Sequence, residues 1–272
     1  MRIRKKNIKE SVRQKYDQIA SQSKQQNQSS CCGGSSCCGE SDYSVFNDDY
    51  TEVQGYNEEA DLGLGCGIPS DYADLREGDA VLDLGSGAGN DCFVARSFVG
   101  SEGYVYGIDF SEEMLKKARE NAAKLGYTNM EFVKGDIESM PFDGNKMDKI
   151  LSNCVLNLVP DKKKAFSEIF RVLKPGGSFC ISDVVTVGEL PESLLKSAEM
   201  YAGCVAGAIS REDYLKVIKD SGFSNIHVHK EKEIILPDEI LGRYLSSKER
   251  ETFKSSEIGI YSITLTAKKP KA

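Results

Sequence analysis

The sequence predicts an α/β fold organised around a doubly wound, mostly parallel sheet, and three observations lead there. From residue 80 onward, short apolar runs alternate with helical patterns at the spacing of βαβ units. The first run, AVLDLG, ends in the glycine-rich turn Gly85-Ser86-Gly87-Ala88-Gly89. Three acids, Asp83, Asp109 and Asp136, stand at the ends of three successive runs, on the carboxyl edge where open α/β sheets bind ligands.

Each element has its own signal. Ile8, Val12, Tyr16 and Ile19 recur at helical spacing, predicting a short amphipathic helix over residues 7–20 whose basic charges are solvated. The polar run SQSKQQNQSS reads as a linker and leads to CCGGSSCC, which carries Cys31, Cys32, Cys37 and Cys38. Residues 43–75 are acidic and loop-rich. After AVLDLG, NDCFVARSFV reads as a helix and GYVYGIDFS as a strand. SEEMLKKARENAAKLG is a helix with Ser111 as N-cap, Glu112 and Glu113 in its first turn, and Gly126 at its end. MEFVKGD and KMDKILSNCVLNLV follow as strands, KKKAFSEIFRVL as a helix, KPGG as a turn and SFCISDVV as a strand. Beyond these, REDYLKVIKDSGF is helical, NIHVHKEKEIIL and IYSITLTAKK are strands, and a short helix near PDEILGRYL separates them. The division expected is residues 1–42 as an N-terminal helix, linker and cysteine-rich loop. Residues 43–187 form the ligand-binding core, and 188–272 a C-terminal α/β extension beside the substrate site.

Composition excludes several classes. Among 272 residues, the hydrophobic fraction of 40% and charged fraction of 28% suit an ordinary globular protein. The net charge of -7 argues against a nucleic-acid partner, which needs a basic stripe. No apolar run reaches the roughly 18 residues of a membrane span, and the basic N-terminus lacks the apolar core of a secretory signal. A cytoplasmic location without membrane or nucleic-acid partners is the expectation. The nine cysteines are many for a reducing compartment, and with only two histidines they point to soft-ligand or redox chemistry. His227 and His229, alternating in HVH, and the charges of KEKE read as a solvated strand face.

The glycine turn is spaced G-x-G-x-G after an acid, unlike the G-x-G-x-x-G of a dinucleotide site, and it suits a ligand without pyrophosphate. Asp83 is placed to bind an amino group, directly or through water. Asp109 is placed to accept from two ribose hydroxyls, and Asp136 from an adenine amino group with Ile137 beside the ring. On these residues the stretch from about 70 to 187 resembles the class I S-adenosylmethionine-dependent methyltransferases, with their Rossmann-like sheet. KGDIESMPF and RVLKPGGSF are similar to the small-molecule branch that includes quinone and sterol methyltransferases. The candidate donor-binding set is then Asp83, Gly85, Ser86, Gly87, Gly89, Asp109, Phe110, Met114, Asp136, Ile137, Glu138 and Asn153.

Three cysteines stand in loop-like contexts: Cys66 in LGLGCGIP, Cys154 in SNCVLNL and Cys204 in YAGCVAGA. Cys180, inside SFCISDVV, and Cys92, on the first core helix, read instead as small core hydrophobes. The three loop contexts, with the upstream cysteine pairs, resemble arsenite methyltransferases of the microbial type, from Cys31 to about Ser210. The resemblance implies that Cys154 and Cys204 hold trivalent arsenic, with Cys66 as third ligand or redox partner. It also implies that an upstream cysteine joins a disulfide relay, leaving Cys31, Cys32, Cys37 and Cys38 as four candidates. Three thiolates suit a soft trivalent centre and leave its lone pair facing outward, toward a sulfonium methyl. Such an attack needs no general base. It formally oxidises arsenic, so a trivalent product requires two electrons from a cysteine pair, restored by thioredoxin or glutathione. Two other readings are a methyltransferase for an organic acceptor and a non-catalytic thiol-rich protein that binds soft metals.

Overall fold

Period-two burial along the strands decides how the layers form. The structure, a computed structural model, describes residues 2–21, 48–195, 207–236, 238–256 and 258–271. Leu82, Leu84, Ile150, Phe179 and Ile181 face one apolar cluster, with Phe166, Ile169, Tyr214 and Ile218 from the helices that cover it. Their neighbours Val81, Leu151 and Cys180 face the other, with Cys92, Phe93, Met114 and Leu115. A sheet apolar on both faces must be covered by helices on both, which is the doubly wound arrangement.

The strands are β1 (Ala80–Leu84), β2 (Tyr104–Asp109), β3 (Met130–Lys134), β4 (Met147–Asn153), β5 (Leu173–Val187), β6 (Ser224–Glu233) and β7 (Gly259–Lys268). They form one seven-stranded sheet of order β3-β2-β1-β4-β5-β7-β6. β1 to β5 pair in parallel, and β7 runs antiparallel between β5 and β6. The order reverses beside β1, opening a crevice at the carboxyl ends of β1 and β4. The principal helices are α1 (Arg2–Ala20), α2 (Asn90–Val99), α3 (Glu112–Lys124), α4 (Lys162–Val172), α5 (Glu192–Leu195), α6 (Arg211–Asp220), α7 (Asp238–Tyr244) and α8 (Ser247–Ser255). Among the described residues no helix is long and apolar enough to cross a membrane.

Several sequence expectations change in detail. The strand expected to run through Cys154 to Val159 stops at Asn153, and a 3-10 turn, Leu156–Leu158, follows. KPGG does not precede β5 but lies within it. Met147 pairs with Leu173 while Lys149 pairs with Ser178, so the extra residues bulge out at Gly176, which has φ +84°. β6 and β7, expected in a C-terminal extension, continue the core sheet. α8 was not anticipated, although Ser246 and Glu249 form a capping box that the motif S-x-x-E already spells.

The largest correction concerns the charges of α1. Its apolar stripe is buried at Val12 and Ile19, as an amphipathic helix requires, but its basic side, expected in solvent, is partly engaged. Ser111 Oγ donates to Asp17 at 2.6 Å, and the Lys9 ammonium pairs with Asp136 and Glu138. Burying an apolar face on α3 and the cleft outweighs solvation, because the charged stems reach partners or water beyond it. The KEKE charges are also paired in part, Lys230 and Lys232 with Asp48 and Glu231 with Arg211. His229 stacks on Tyr72 and bonds Thr266 Oγ1 at 2.8 Å, and no metal-ligand cluster forms among the described residues.

Candidate functional site

At the crevice two cavities adjoin, sharing Gly85, Asp109, Phe110, Val155 and Leu158. The first carries Ser86, Asp91, Asn153 and Cys154 on its walls. The second carries Lys9, Asp136 and Ile137. Together they make one cleft from the end of β3 to the end of β4.

The glycine turn forms the floor. Gly85 has φ +68°, and a Cβ there would stand 2.5 Å from Val155 Cγ2, so only glycine lets the chain turn under the cleft. Gly89 caps α2 in the left-handed region without lining either cavity. Asp109 at the end of β2 is held by two main-chain donors, Gly87 N on Oδ2 at 3.0 Å and Ser111 N on Oδ1 at 2.8 Å. Burial lifts its carboxyl to about 6, against the pull of those N–H groups. Phe110 borders both cavities and Met114 the first. Asp136 and Ile137 line the second cavity. Glu138 sits behind them, paired with Lys9 and accepting from Asp161 N at 3.1 Å.

Asp83 lines neither cavity. It shares a strand face with Val81, so its carboxylate turns under α2, where it accepts from Cys92 Sγ at 3.3 Å. Burial and the charge of Asp91 push its carboxyl far above the ordinary range. The acid that does reach the first cavity is Asp91, in the first turn of α2, beside Asp61. Burial raises Asp91 to about 6, and bonds from Tyr50 and Asn153 restrain it. Asp91 follows the glycine turn directly in GAGNDC and was therefore findable. Tyr50 lies in an acidic loop that carries no local signal.

Asn153 ties these parts together. Its Nδ2 lies 2.8 Å from Tyr50 Oη, 2.9 Å from Gly67 O and 3.1 Å from Asp91 Oδ2, while its Oδ1 accepts from Cys66 N at 3.0 Å. The glycines beside Cys66 follow from that approach. A Cβ on Gly65 would stand 2.7 Å from Asn153 Nδ2, and one on Gly67 would collide with Ser182 Oγ. Cys154 turns out of β4 at φ +57°, its N–H still bonded to Ser182 O at 2.8 Å. Cys66 and Cys154 are joined by a disulfide with Cα atoms 5.8 Å apart, in an apolar cluster with Val184, Leu194 and Ile260. The relay implied by the resemblance would join Cys66 to an upstream cysteine. Here its partner is Cys154, while Cys31, Cys32, Cys37, Cys38 and Cys204 lie outside the described residues. Cys92 and Cys180 are fully buried free thiols within the core, as expected.

The cleft suits a cationic, polar donor. Ser86 Oγ and Asn90 Oδ1 are buried on the first cavity with no hydrogen-bond partner, and its walls carry three acids but no lysine or arginine. The topology and this cleft are those of the class I methyltransferase fold. Residues 75–222 match a family model described as a methyltransferase domain. An arsenite methyltransferase of Halobacterium salinarum is 38% identical over 90% of this chain, and that of Homo sapiens 34% over 76%. The chain spans 66% and 59% of the length of these two relatives. The crystal structure of CrArsM, an arsenic(III) S-adenosylmethionine methyltransferase from Chlamydomonas reinhardtii, is 33% identical with a TM-score of 0.64, covering 82% of this chain and 71% of that one. The chain belongs to the arsenite methyltransferase family.

Proposed function

We propose that this protein methylates trivalent arsenic held by cysteine thiolates. The observation that carries the reading is that Cys154 stands on the wall of the same cavity as Asp91, Asp109 and the orphaned Ser86 hydroxyl. When bound, S-adenosylmethionine supplies an electrophilic sulfonium methyl. Asp109 accepts from its ribose hydroxyls, and Asp136 with Ile137 receives the adenine. Asp91 and Asp61, rather than Asp83, attract the amino group. Phe110 and Met114 exclude water from the groove between the two ends.

The thiol side is Cys66, Cys154 and Cys204, with arsenite or its thiol conjugates as substrate. The Cys66–Cys154 bridge occupies two of those sulfurs, so two electrons from thioredoxin or glutathione must first convert it to two thiols. Methyl transfer leaves arsenic formally pentavalent. Oxidising a cysteine pair to a disulfide returns two electrons and a trivalent product, and the Cys66–Cys154 bridge is one such oxidised pair. No general base enters, because the lone pair of arsenic is the nucleophile. Positioning the two reactants supplies about 7–11 kcal/mol of the barrier reduction. Dependence on a thiol reductant supports a cytoplasmic setting, and the net charge of -7 supports a small-molecule substrate over nucleic acid.

Mass spectrometry of protein incubated with arsenite, S-adenosylmethionine and glutathione tests the reading. Methylated arsenic is expected, and Cys154→Ser should abolish it while donor binding persists. Donor binding without any arsenic product would transfer the proposal to an organic acceptor.

A further inference from the structure

Lys162 begins α4 and lines neither cavity, yet its half-buried ammonium is fully engaged. Its Nζ donates to Asn157 O at 3.0 Å, Val159 O at 3.3 Å and Gly207 O at 2.9 Å. An ammonium has three donors, and here three main-chain carbonyls take them. Two of the carbonyls belong to the turn directly after Cys154. The third, Gly207, stands three residues past Cys204 in the sequence and leads into α6.

That turn needs an external hold. Cys154 occupies the left-handed region, which a non-glycine residue enters only where its surroundings impose it. Ser182 O fixes its N–H from one side. On the other side β5 presents Asp183, fully buried, toward the main-chain N–H of Asn157, and Tyr214 Oη donates to Asp183 Oδ2 at 2.8 Å. Burial pulls the Lys162 ammonium down from its ordinary range, and the charge of Asp183 pushes it back. Thr186 N, on the same strand, bonds Ile209 O at 3.0 Å, so the Gly207 side is anchored to β5 as well.

We propose that Lys162 is a positioning residue of the thiol site: it clamps the turn that aims the Cys154 sulfur and joins that turn to Gly207, ahead of α6. The inference deepens the proposed arsenic site and rests on that reading for its substrate. It also makes a claim about the Cys66–Cys154 pair that involves no arsenic. A carbonyl clamp that holds Cys154 near Cys66 raises the effective concentration of one thiol at the other, and with it the tendency of the pair to oxidise.

The test compares the full-length wild type, Lys162→Met, Lys162→Arg and the exposed neighbour change Lys163→Met. Three quantities are read: S-adenosylmethionine affinity, arsenite affinity of the reduced protein, and the fraction of Cys66–Cys154 cross-linked peptide in glutathione buffers of graded redox ratio. In Lys162→Met, arsenite affinity and the disulfide equilibrium constant should each fall about tenfold. Donor affinity should fall much less than arsenite affinity, because the clamped turn borders the donor cavities only through apolar Val155, Leu158 and Val159, while the polar groups Asp91, Asp109 and Asp136 stand on other elements. Lys162→Arg should restore both thiol readouts, since a guanidinium still donates to the carbonyls, and Lys163→Met should match wild type. If Lys162→Met does not fold, Lys162→Gln, with two donors on a shorter stem, takes its place. Unchanged thiol readouts, or a parallel loss of donor affinity, would overturn the proposal. A wild type that takes up no arsenite would sink the arsenic reading alone, and the disulfide equilibrium would still decide the role of Lys162.

Discussion

At the residue scale, the cleft is governed by acids that would rather be neutral. Burial lifts Asp91 and Asp109 to about 6 and Asp183 to about 7. A carboxyl raised in the folded state binds its proton more tightly there than in the unfolded chain. Its contribution to stability is therefore present at low pH and lost as pH rises through the window from about 4 to 7. The acids that ion pairs hold low, such as Glu168 beside Arg171, have opposite sign but finish titrating below their ordinary range. Between pH 5 and 7 the ligand-free protein should lose stability by about 1.4 kcal/mol per pH unit for each raised acid then titrating, read by urea unfolding. Donor affinity should run the other way, weakening by up to about tenfold per unit below pH 6 for each of Asp91 and Asp109, since a protonated carboxyl loses its attraction for a cationic donor and part of its acceptor capacity. Asp109→Ala should lower donor affinity by about 2–3 kcal/mol in titration calorimetry; an unchanged constant would remove it from the site. Gly67→Ala should destabilise by about 1–3 kcal/mol, because the new methyl collides with Ser182 Oγ inside a packed cluster.

At the element scale, α1 and β7 turn a common core into this site. α1 supplies the outer wall of the second cavity through Lys9, Glu10, Val12 and Arg13. Lys9→Met should weaken donor binding several-fold at low salt and less at high salt, because the Lys9 and Asp136 side chains remain 34% and 50% exposed and such pairs are screened. Equal affinity in wild type and variant at low salt would show that α1 acts by packing alone. The helices and parallel strands were legible because each carries its own period, cap and terminator within about 15 residues. Ser111 and Gly126 bracket α3 as the sequence indicates. The position of α1 was not legible, since its basic face looks the same whether it meets water or two acids more than a hundred residues away. β7 inserts between β5 and β6 along its whole length and buries Ile260, Ile263, Leu265 and Ala267. Ile263→Ala should cost about 2–5 kcal/mol, measured by urea unfolding, as expected for a cavity in the main core and not in an appendage.

At the scale of the whole molecule, the two proposed sites meet over one crevice, and the disulfide lies on the thiol side alone. With Cys66 and Cys154 bridged, reduced glutathione should be required before arsenite uptake, while donor binding should be the same in both redox states. A donor affinity that shifts strongly on reduction would mean that Asn153 transmits the thiol state to Asp91. The sequence by itself determined the alternation of strands and helices, the glycine turn, and the strand-end acids Asp109 and Asp136. All of these are written in local periodicity and turn chemistry. Only the tertiary structure decided that Asp83 turns away under α2 while Asp91 faces the cavity, that Cys66 meets Cys154 across 88 residues, and that Lys162 and Asn153 hold that meeting in place. The physical reason is range. A hydrophobic period or a cap is decided within a turn or two, whereas a buried hydrogen bond or a disulfide depends on which distant backbone the packed sheet brings within reach.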